Sequence, residues 1–421
     1  MSGKRSETQI IALVAAIQFV NILDFMMVMP LGPFFASALD IPTSHLGVIG
    51  GAYTAAAGIT GLAGSFFLDR FDRRSALAVA MLGLVLGTLA GGFATGLGSL
   101  LAARVLAGAF GGPATSLAMS IIADVVPPER RGRAIGLVMT SFSLSSVLGV
   151  PTGLWLAEHG GFRTPFFAVA GLGLVLAAAA VFLLPKLRAH LDGPAHVQPS
   201  YGELLRRPTV IYSYALTAAT MASVFVVVPN IASYVVFNLG YSQSQYKFLY
   251  MAGGLATVVA LRLVGILVDR VGPVVVGSIG TVLYVGILYL AFVGPIPWIP
   301  VMVVFVMFMV TSSFRNVPYQ TLATRVPAPA ERARFMSLQS AVQHIASAIA
   351  GVVSSKMLIA RADGGLIGMD HVAYAAMALS TLVPVLMVLI DRNLPAPAPK
   401  PALTAPRLAR LCTLPLLGGI R

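Results

Sequence analysis

Charge and cysteine are what this chain has least of. Of 421 residues, 10% are charged and one is a cysteine, Cys412, while 57% belong to the hydrophobic set. A water-soluble domain carries about a quarter charged residues, so the solvent around most of this chain is lipid. One cysteine and six histidines supply no disulfide, zinc or iron–sulfur framework, and neither metal nor cofactor is expected. No GxxxxGK[ST] phosphate loop occurs, and the short loops hold no His/Asp or Cys/His cluster. Both absences disfavour an ATP-binding subunit and an enzyme. The formal charge of +13 is scattered over short segments between apolar runs. It therefore reads as a topology signal and not as a nucleic-acid-binding surface. The first apolar run has no small-residue processing site after it and is read as a membrane helix.

The apolar runs set the fold class. A helix needs roughly 20 apolar residues to cross a hydrocarbon core of ~30 Å. Twelve runs qualify: 9–30, 45–68, 75–95, 98–122, 133–157, 163–184, 209–231, 245–268, 273–294, 298–320, 334–358 and 370–390. The bend from Gly96 to Gly98 separates the third from the fourth. With both termini cytoplasmic, 21 of the 28 Lys and Arg fall in or beside cytoplasmic segments, and only Arg163, Lys247, Lys356 and Arg361 fall outside. Such a bias follows the positive-inside rule and selects twelve spans over eleven. The expected chain is thus an all-α polytopic membrane protein with lipid around it. Residues 1–184 form an N-terminal six-helix bundle, and 209–391 form a C-terminal one. A polar, Pro-containing linker (185–208) joins them, and 392–421 is a flexible cytoplasmic tail.

The two halves echo each other. Asp69-Arg70 ends the second span and Asp269-Arg270 ends the eighth, 200 positions later. Val126-Pro127-Pro128-Glu129-Arg130 after the fourth span has its counterpart in Val326-Pro327 through Glu331-Arg332 after the tenth, with the Glu-Arg pairs 202 positions apart. Two parallel six-helix repeats place a substrate path between the halves.

The segment from Ser65 to Arg74, ending Asp69-Arg70-Phe71-Asp72-Arg73-Arg74, resembles the loop signature Gly-x-Leu-x-Asp-Arg-x-Gly-Arg-Arg between spans two and three of the major facilitator superfamily. Ser65, Phe67 and Asp72 replace its two glycines and its leucine, whereas Gly265 to Gly272 retains all three. Arg104-Val105-Leu106-Ala107-Gly108 is similar to the Arg-x-x-x-Gly motif of span four, and Gly149-Val150-Pro151-Thr152-Gly153 to a split form of the Gly-Pro exchanger motif of span five. The resemblance extends to the twelve-span drug and sugar efflux group, including arabinose efflux permease-type proteins. It implies two six-helix bundles in a parallel pseudo-twofold repeat. It further implies a monomer that carries a small-molecule substrate by alternating access, often in exchange for protons. Asp69, Arg70, Arg73, Arg74, Asp269 and Arg270 then form a conformational latch. Arg104 serves proton transfer or cavity electrostatics.

Polar residues inside spans carry the rest. Asp24 is the sole acidic residue well inside an apolar run. A lone intramembrane carboxylate is a functional-site hypothesis by default, so Asp24 is the candidate for proton coupling or cation recognition. The alternatives are a structural pair with Arg104 or a polar network through Asn21. Arg104, near the end of its span, either faces a polar partner or snorkels. Arg315 and Asn316 in span ten, with Gln343 and His344 in span eleven, are further candidates. Arg315 would attract an anionic substrate, pair with Asp24 across the cavity or control the protonation of Asp24. Gly108, Gly112, Gly149, Pro151 and Gly153 read as helix-packing or gating positions. The leading expectation is proton-coupled export of a small amphipathic organic compound, a cation or a neutral drug-like molecule. The rivals are a sugar or metabolite facilitator or symporter, and a receptor that does not transport.

Overall fold

The computed structural model describes residues 2–185, 187, 201–294, 298–327 and 331–394. Most of the 185–208 linker and the tail from residue 395, with Cys412, lie outside them. Among the described residues, eleven helices are long and apolar enough to cross a membrane: Glu7–Val28, Thr43–Gly64, Arg73–Gly92, Leu97–Ile122, Ala134–Gly160, Arg163–Leu183, Pro208–Asn238, Gln245–Val271, Pro273–Phe292, Val301–Ala323 and Met369–Asn393. We number these spans one to ten and twelve. Span eleven, Arg332–Met357, has 26 residues. It is long enough at 1.5 Å per residue, but Arg332, Arg334, Gln339, Gln343 and His344 make its first half polar. It packs along span two, where Ala341, His344, Ala348 and Gly351 meet that helix.

The packing follows the sequence repeat. Spans three and four, two and four, three and six, and one and five pack together in the first half. Nine and ten, eight and ten, nine and twelve, and seven and eleven do so in the second. Two seams join the halves, span two on eleven and span five on eight. A twofold operation that exchanges the halves maps one seam onto the other. Large apolar side chains on the outer spans, such as Val79, Leu86, Phe182 and Val282, are exposed. Lipid is the environment that removes their apolar area from water.

Proline explains the breaks in two spans. Pro151 has no N–H to donate to the preceding turn, and residues Ser145–Gly149 form a π-helical turn just before it. Pro229 sits in the first turn of a short helix, Val228–Ser233, that restarts span seven after a break at Val226–Val227. This restart, followed by the π-turn Tyr234–Asn238, carries span seven beyond the expected end at residue 231.

The repeat-related loops solve one problem in two ways. Span three begins with Asp72 as its N-cap, whose carboxylate accepts the Arg74 N–H at 2.9 Å. Span nine begins after Gly272, held at φ 98°, with Pro273 in the first helical position. That positive φ requires glycine at 272, while at 72 the side chain does the capping. Asp72→Ala is expected to lower stability by about 1 kcal/mol, and Asp72→Asn to retain most of it. Melting of the purified protein in detergent checks both.

One feature departs from the all-helical expectation. Between spans eleven and twelve, β1 (Ile359–Ala360) pairs antiparallel with β2 (Leu366–Ile367). Asn238, at the end of span seven, clamps β2 by donating to the Leu366 carbonyl and accepting its N–H, both at 2.8 Å. At the turn, hydrogen bonds from Arg361 and then from the Gly365 N–H hold the Asp363 carboxyl below its ordinary range.

On this face, where loops are poor in Lys and Arg, the halves close on each other. Thr43 donates to the Gly364 carbonyl at 2.9 Å, and Lys247 pairs with Glu158 at 2.6 Å. Gly47 and Gly351 meet backbone to backbone, so a Cβ on Gly47 would collide with the Gly351 carbonyl oxygen. Deeper in the same seam, a Cβ on Gly58 would lie 2.9 Å from His344 Cβ. Gly351→Val is therefore expected to hold this face open. With Cys412→Ser as background, Thr54→Cys, now buried on span two, would react several-fold faster with an impermeant maleimide applied to this face.

Candidate functional site

Span one presents Gln18, Asn21 and Asp24 at intervals of three, which places them on one face of the helix. All three are buried, Asp24 completely. Arg104 reaches it from span four and is 1% exposed. Its Nη1 donates to Asp24 Oδ1 at 3.2 Å, and its Nη2 to Asp24 Oδ2 at 3.0 Å and to the Asp24 carbonyl at 3.3 Å. Thr88 on span three donates to Asp24 Oδ1 at 2.7 Å. The Arg104 guanidinium also lies over the Tyr53 ring, 4.6 Å from its centre. The carboxylate is thus held by two neighbouring spans, three and four.

A second layer fixes this pair. Tyr53 donates its hydroxyl to Asn21 Oδ1 at 3.0 Å, and Asn21 Nδ2 donates to the Gly111 carbonyl at 2.9 Å and to Thr115 Oγ1 at 2.7 Å. Gln18 adds a longer bond to Thr115 at 3.4 Å. Gly108 and Gly112 let span two approach: a Cβ on either would collide with the carbonyl oxygen of Tyr53 or of Ala57. A Cβ on Gly111 would collide with the Tyr53 hydroxyl and lie 2.9 Å from Asn21 Oδ1. The glycines of span four are therefore what allows the tyrosine to stand beside the ion pair.

The geometry decides between several readings of these residues. Arg104 does not snorkel; its side chain turns inward to Asp24. Asp24 pairs with Arg104 and not with Arg315, which lies in the other half between spans seven, nine and ten. There Arg315 Nη2 donates to Ser223 Oγ at 2.7 Å, and its guanidinium stacks 4.2 Å from the centre of the Tyr284 ring. Asn316 is half-buried, with Oδ1 unpartnered. Gln343 is also half-buried, and His344 packs on Gly58 across the seam.

The loop residues are placed as follows. Arg73 Nε pairs with Asp124 Oδ2 at 3.1 Å, and Arg74 Nη1 donates to the Leu184 carbonyl at 3.4 Å. Both contacts stay within the first half. Arg70, Asp269 and Arg270 are exposed; the Asp69 side chain lies outside the described residues. In span five, Gly149 lies against Leu23, where a Cβ would come to 2.6 Å, and Gly153 faces Met27. Together with Phe19 and Val169 these residues line an apolar groove of about 210 Å³ between spans one, five and six. Pro151 follows the π-turn described above.

Thr88, Tyr53, Thr115, Ser223 and Tyr284 were not singled out from the sequence. The available signal was weak: Thr88 is a lone hydroxyl deep in an otherwise apolar span, and Tyr53 is one of 12 tyrosines.

Comparison with known proteins locates the chain. The family model for the Major Facilitator Superfamily matches residues 14–351 and, separately, 214–416. The inner membrane transport protein YdhP of Escherichia coli is 28% identical over 201 residues, 47% of this chain and 50% of that protein. The chain spans about half the length of the curated relatives it matches. Among solved structures, a bacterial homologue of the human lysosomal transporter Spinster, inward-facing and unoccupied, is similar with a TM-score of 0.71 at 17% identity, over 93% of this chain and 99% of that one. A D-xylose–proton symporter has a TM-score of 0.71 at 16% identity, over 91% and 96%.

Proposed function

Because this chain belongs to the major facilitator superfamily, we propose that it is a secondary transporter that carries a small organic solute by alternating access between its two six-helix halves. The arginine-rich face lies in the cytoplasm, as the loop charges require, and the membrane is the cell inner membrane, as for the Escherichia coli relative. A proton taken up at Asp24 couples the cycle. The observation that carries this reading is the Asp24–Arg104 pair, with 0% and 1% of the side chains exposed.

The chemistry follows from burial. Ionised, Asp24 balances Arg104, and the hydrogen bonds between them and from Thr88 offset the cost of taking both charges out of water. When a proton adds to a carboxylate oxygen, the acid becomes neutral and Arg104 loses its counter-charge. The guanidinium then gains by turning to another acceptor or to water. Spans one, three and four meet at this acid, so its protonation changes the relative free energy of the two halves' arrangements. A difference of a few kcal/mol is enough to shift such an equilibrium.

Symport or facilitated passage of a metabolite is placed first, drawing on the fold shared with the D-xylose–proton symporter. Export in exchange for protons is the second reading, favoured by the motif from Gly149 to Gly153. Reconstitution into vesicles with an imposed pH gradient separates them. Solute accumulation on the alkaline side indicates symport, accumulation on the acid side indicates exchange, and gradient-independent equilibration indicates facilitation. Absence of solute counterflow for every compound class would remove the transporter reading itself.

A further inference from the structure

We infer that the solute carries an anionic group and that Arg315 receives it; the inference rests on the transporter reading and names its substrate class. The two buried arginines differ in one respect. Arg104 spends its Nη1 and Nη2 on the Asp24 carboxylate, whereas Arg315, also 1% exposed, has no acidic partner among the described residues. Its Nη2 is held by the neutral Ser223 hydroxyl, and its Nε and Nη1 are buried without a hydrogen-bond partner.

A guanidinium buried without a counter-ion is costly. The Tyr284 ring, its centre 4.2 Å from the guanidinium, offsets part of that cost without supplying a counter-charge. Asn316 Oδ1, next to Arg315, and Thr220 Oγ1, one turn before Ser223, are among the unpartnered buried polar atoms of the same helices. The charge sum over Asp24, Arg104 and Arg315, the charged groups buried well inside the spans among the described residues, is one positive charge. A monoanion such as a carboxylate cancels it and accepts the free N–H groups of the guanidinium fork.

The position is that of a transport site. Ser223 stands on span seven 199 positions after Asp24 on span one, close to the 200 and 202 that relate the loop motifs. The rings of the neighbouring Phe25 and Phe225 stack across the halves, 6.0 Å apart. The ion pair and the lone arginine therefore flank one central contact, which must part when the halves rock. The cationic or neutral solute expected from Asp24 alone no longer fits, since Arg104 neutralises that acid.

The test uses the purified full chain in detergent with salicylate, its neutral amide salicylamide, and tetraphenylphosphonium as probes. Thermal melting reads binding, because a ligand of the folded state raises the midpoint. Salicylate is expected to raise the wild-type midpoint by several degrees and salicylamide to have little effect. Arg315→Gln should abolish the salicylate shift and Arg315→Lys should keep part of it. If Arg315→Gln does not fold, Ser223→Ala, which frees the guanidinium, should weaken the salicylate response several-fold. No salicylate shift in the wild type, an equal one in Arg315→Gln, an undiminished one in Ser223→Ala, or a larger one with tetraphenylphosphonium would overturn the inference. Counterflow in vesicles is scored separately. Salicylate binding without counterflow of any solute counts against transport and leaves the anion site standing. Counterflow confined to neutral or cationic solutes does the reverse.

Discussion

Asp24→Asn is expected to abolish solute accumulation driven by a pH gradient while leaving solute exchange at equal pH on both sides. Asparagine keeps the shape of the carboxylate and can still accept from Thr88 and Arg104, so the packing of spans one, three and four survives. What it cannot do is alternate between charged and neutral. The two half-reactions of exchange need only the binding site and the rocking of the halves. Uphill movement needs a group that takes up and releases one proton in each cycle. Accumulation in reconstituted vesicles should therefore fall to the level set by equilibration. Accumulation unchanged in the variant would remove Asp24 as the coupling residue.

Arg104→Ala should have the larger effect on stability. It leaves a carboxylate, 0% exposed, with one hydroxyl donor, and breaking a buried pair from one side typically costs roughly 3–5 kcal/mol. That is a large fraction of the stability of an ordinary domain. The yield of monodisperse protein and its melting midpoint should both drop sharply. Adding Asp24→Asn to Arg104→Ala should recover part of the loss, because the unpaired charge disappears. A double-mutant cycle over the two positions measures that coupling. Additive losses would mean that the two side chains do not depend on each other.

The sequence carried the architecture because the bilayer imposes it. Runs of about 20 apolar residues and the arginines of alternate loops located the spans to within a few residues, except where Pro229 restarts span seven. Span eleven reads in the sequence as an apolar run over 334–358, yet its polar first half keeps it out of the eleven described helices apolar enough to cross a membrane by composition. The individual candidates Asp24, Arg104 and Arg315 stood out because charged groups in lipid are rare. Their partners did not stand out. Which arginine faces Asp24 depends on the packing of spans one and four, which Gly108, Gly111 and Gly112 permit. No spacing along one helix encodes that contact. Thr88 and Ser223 were hidden for a related reason: a hydroxyl in a membrane helix ordinarily bonds its own backbone, and the Leu84 carbonyl, 2.8 Å from the Thr88 hydroxyl, competes with Asp24 for its one proton. The repeat itself is imperfect where it matters. Asp72 and Gly272 serve equivalent helix starts by different means, and Ser223 stands in the second half about where the repeat would place an acid like Asp24.

Infrared spectroscopy of the reconstituted protein addresses the central claim most directly. Difference spectra between acid and alkaline pH, taken for the wild type and for Asp24→Asn, isolate the carboxyl stretch of this one acid. The account predicts a protonated-carboxyl band at acid pH in the wild type that is missing from the variant. The same band in both proteins, alongside proton-driven transport in the wild type alone, would contradict it.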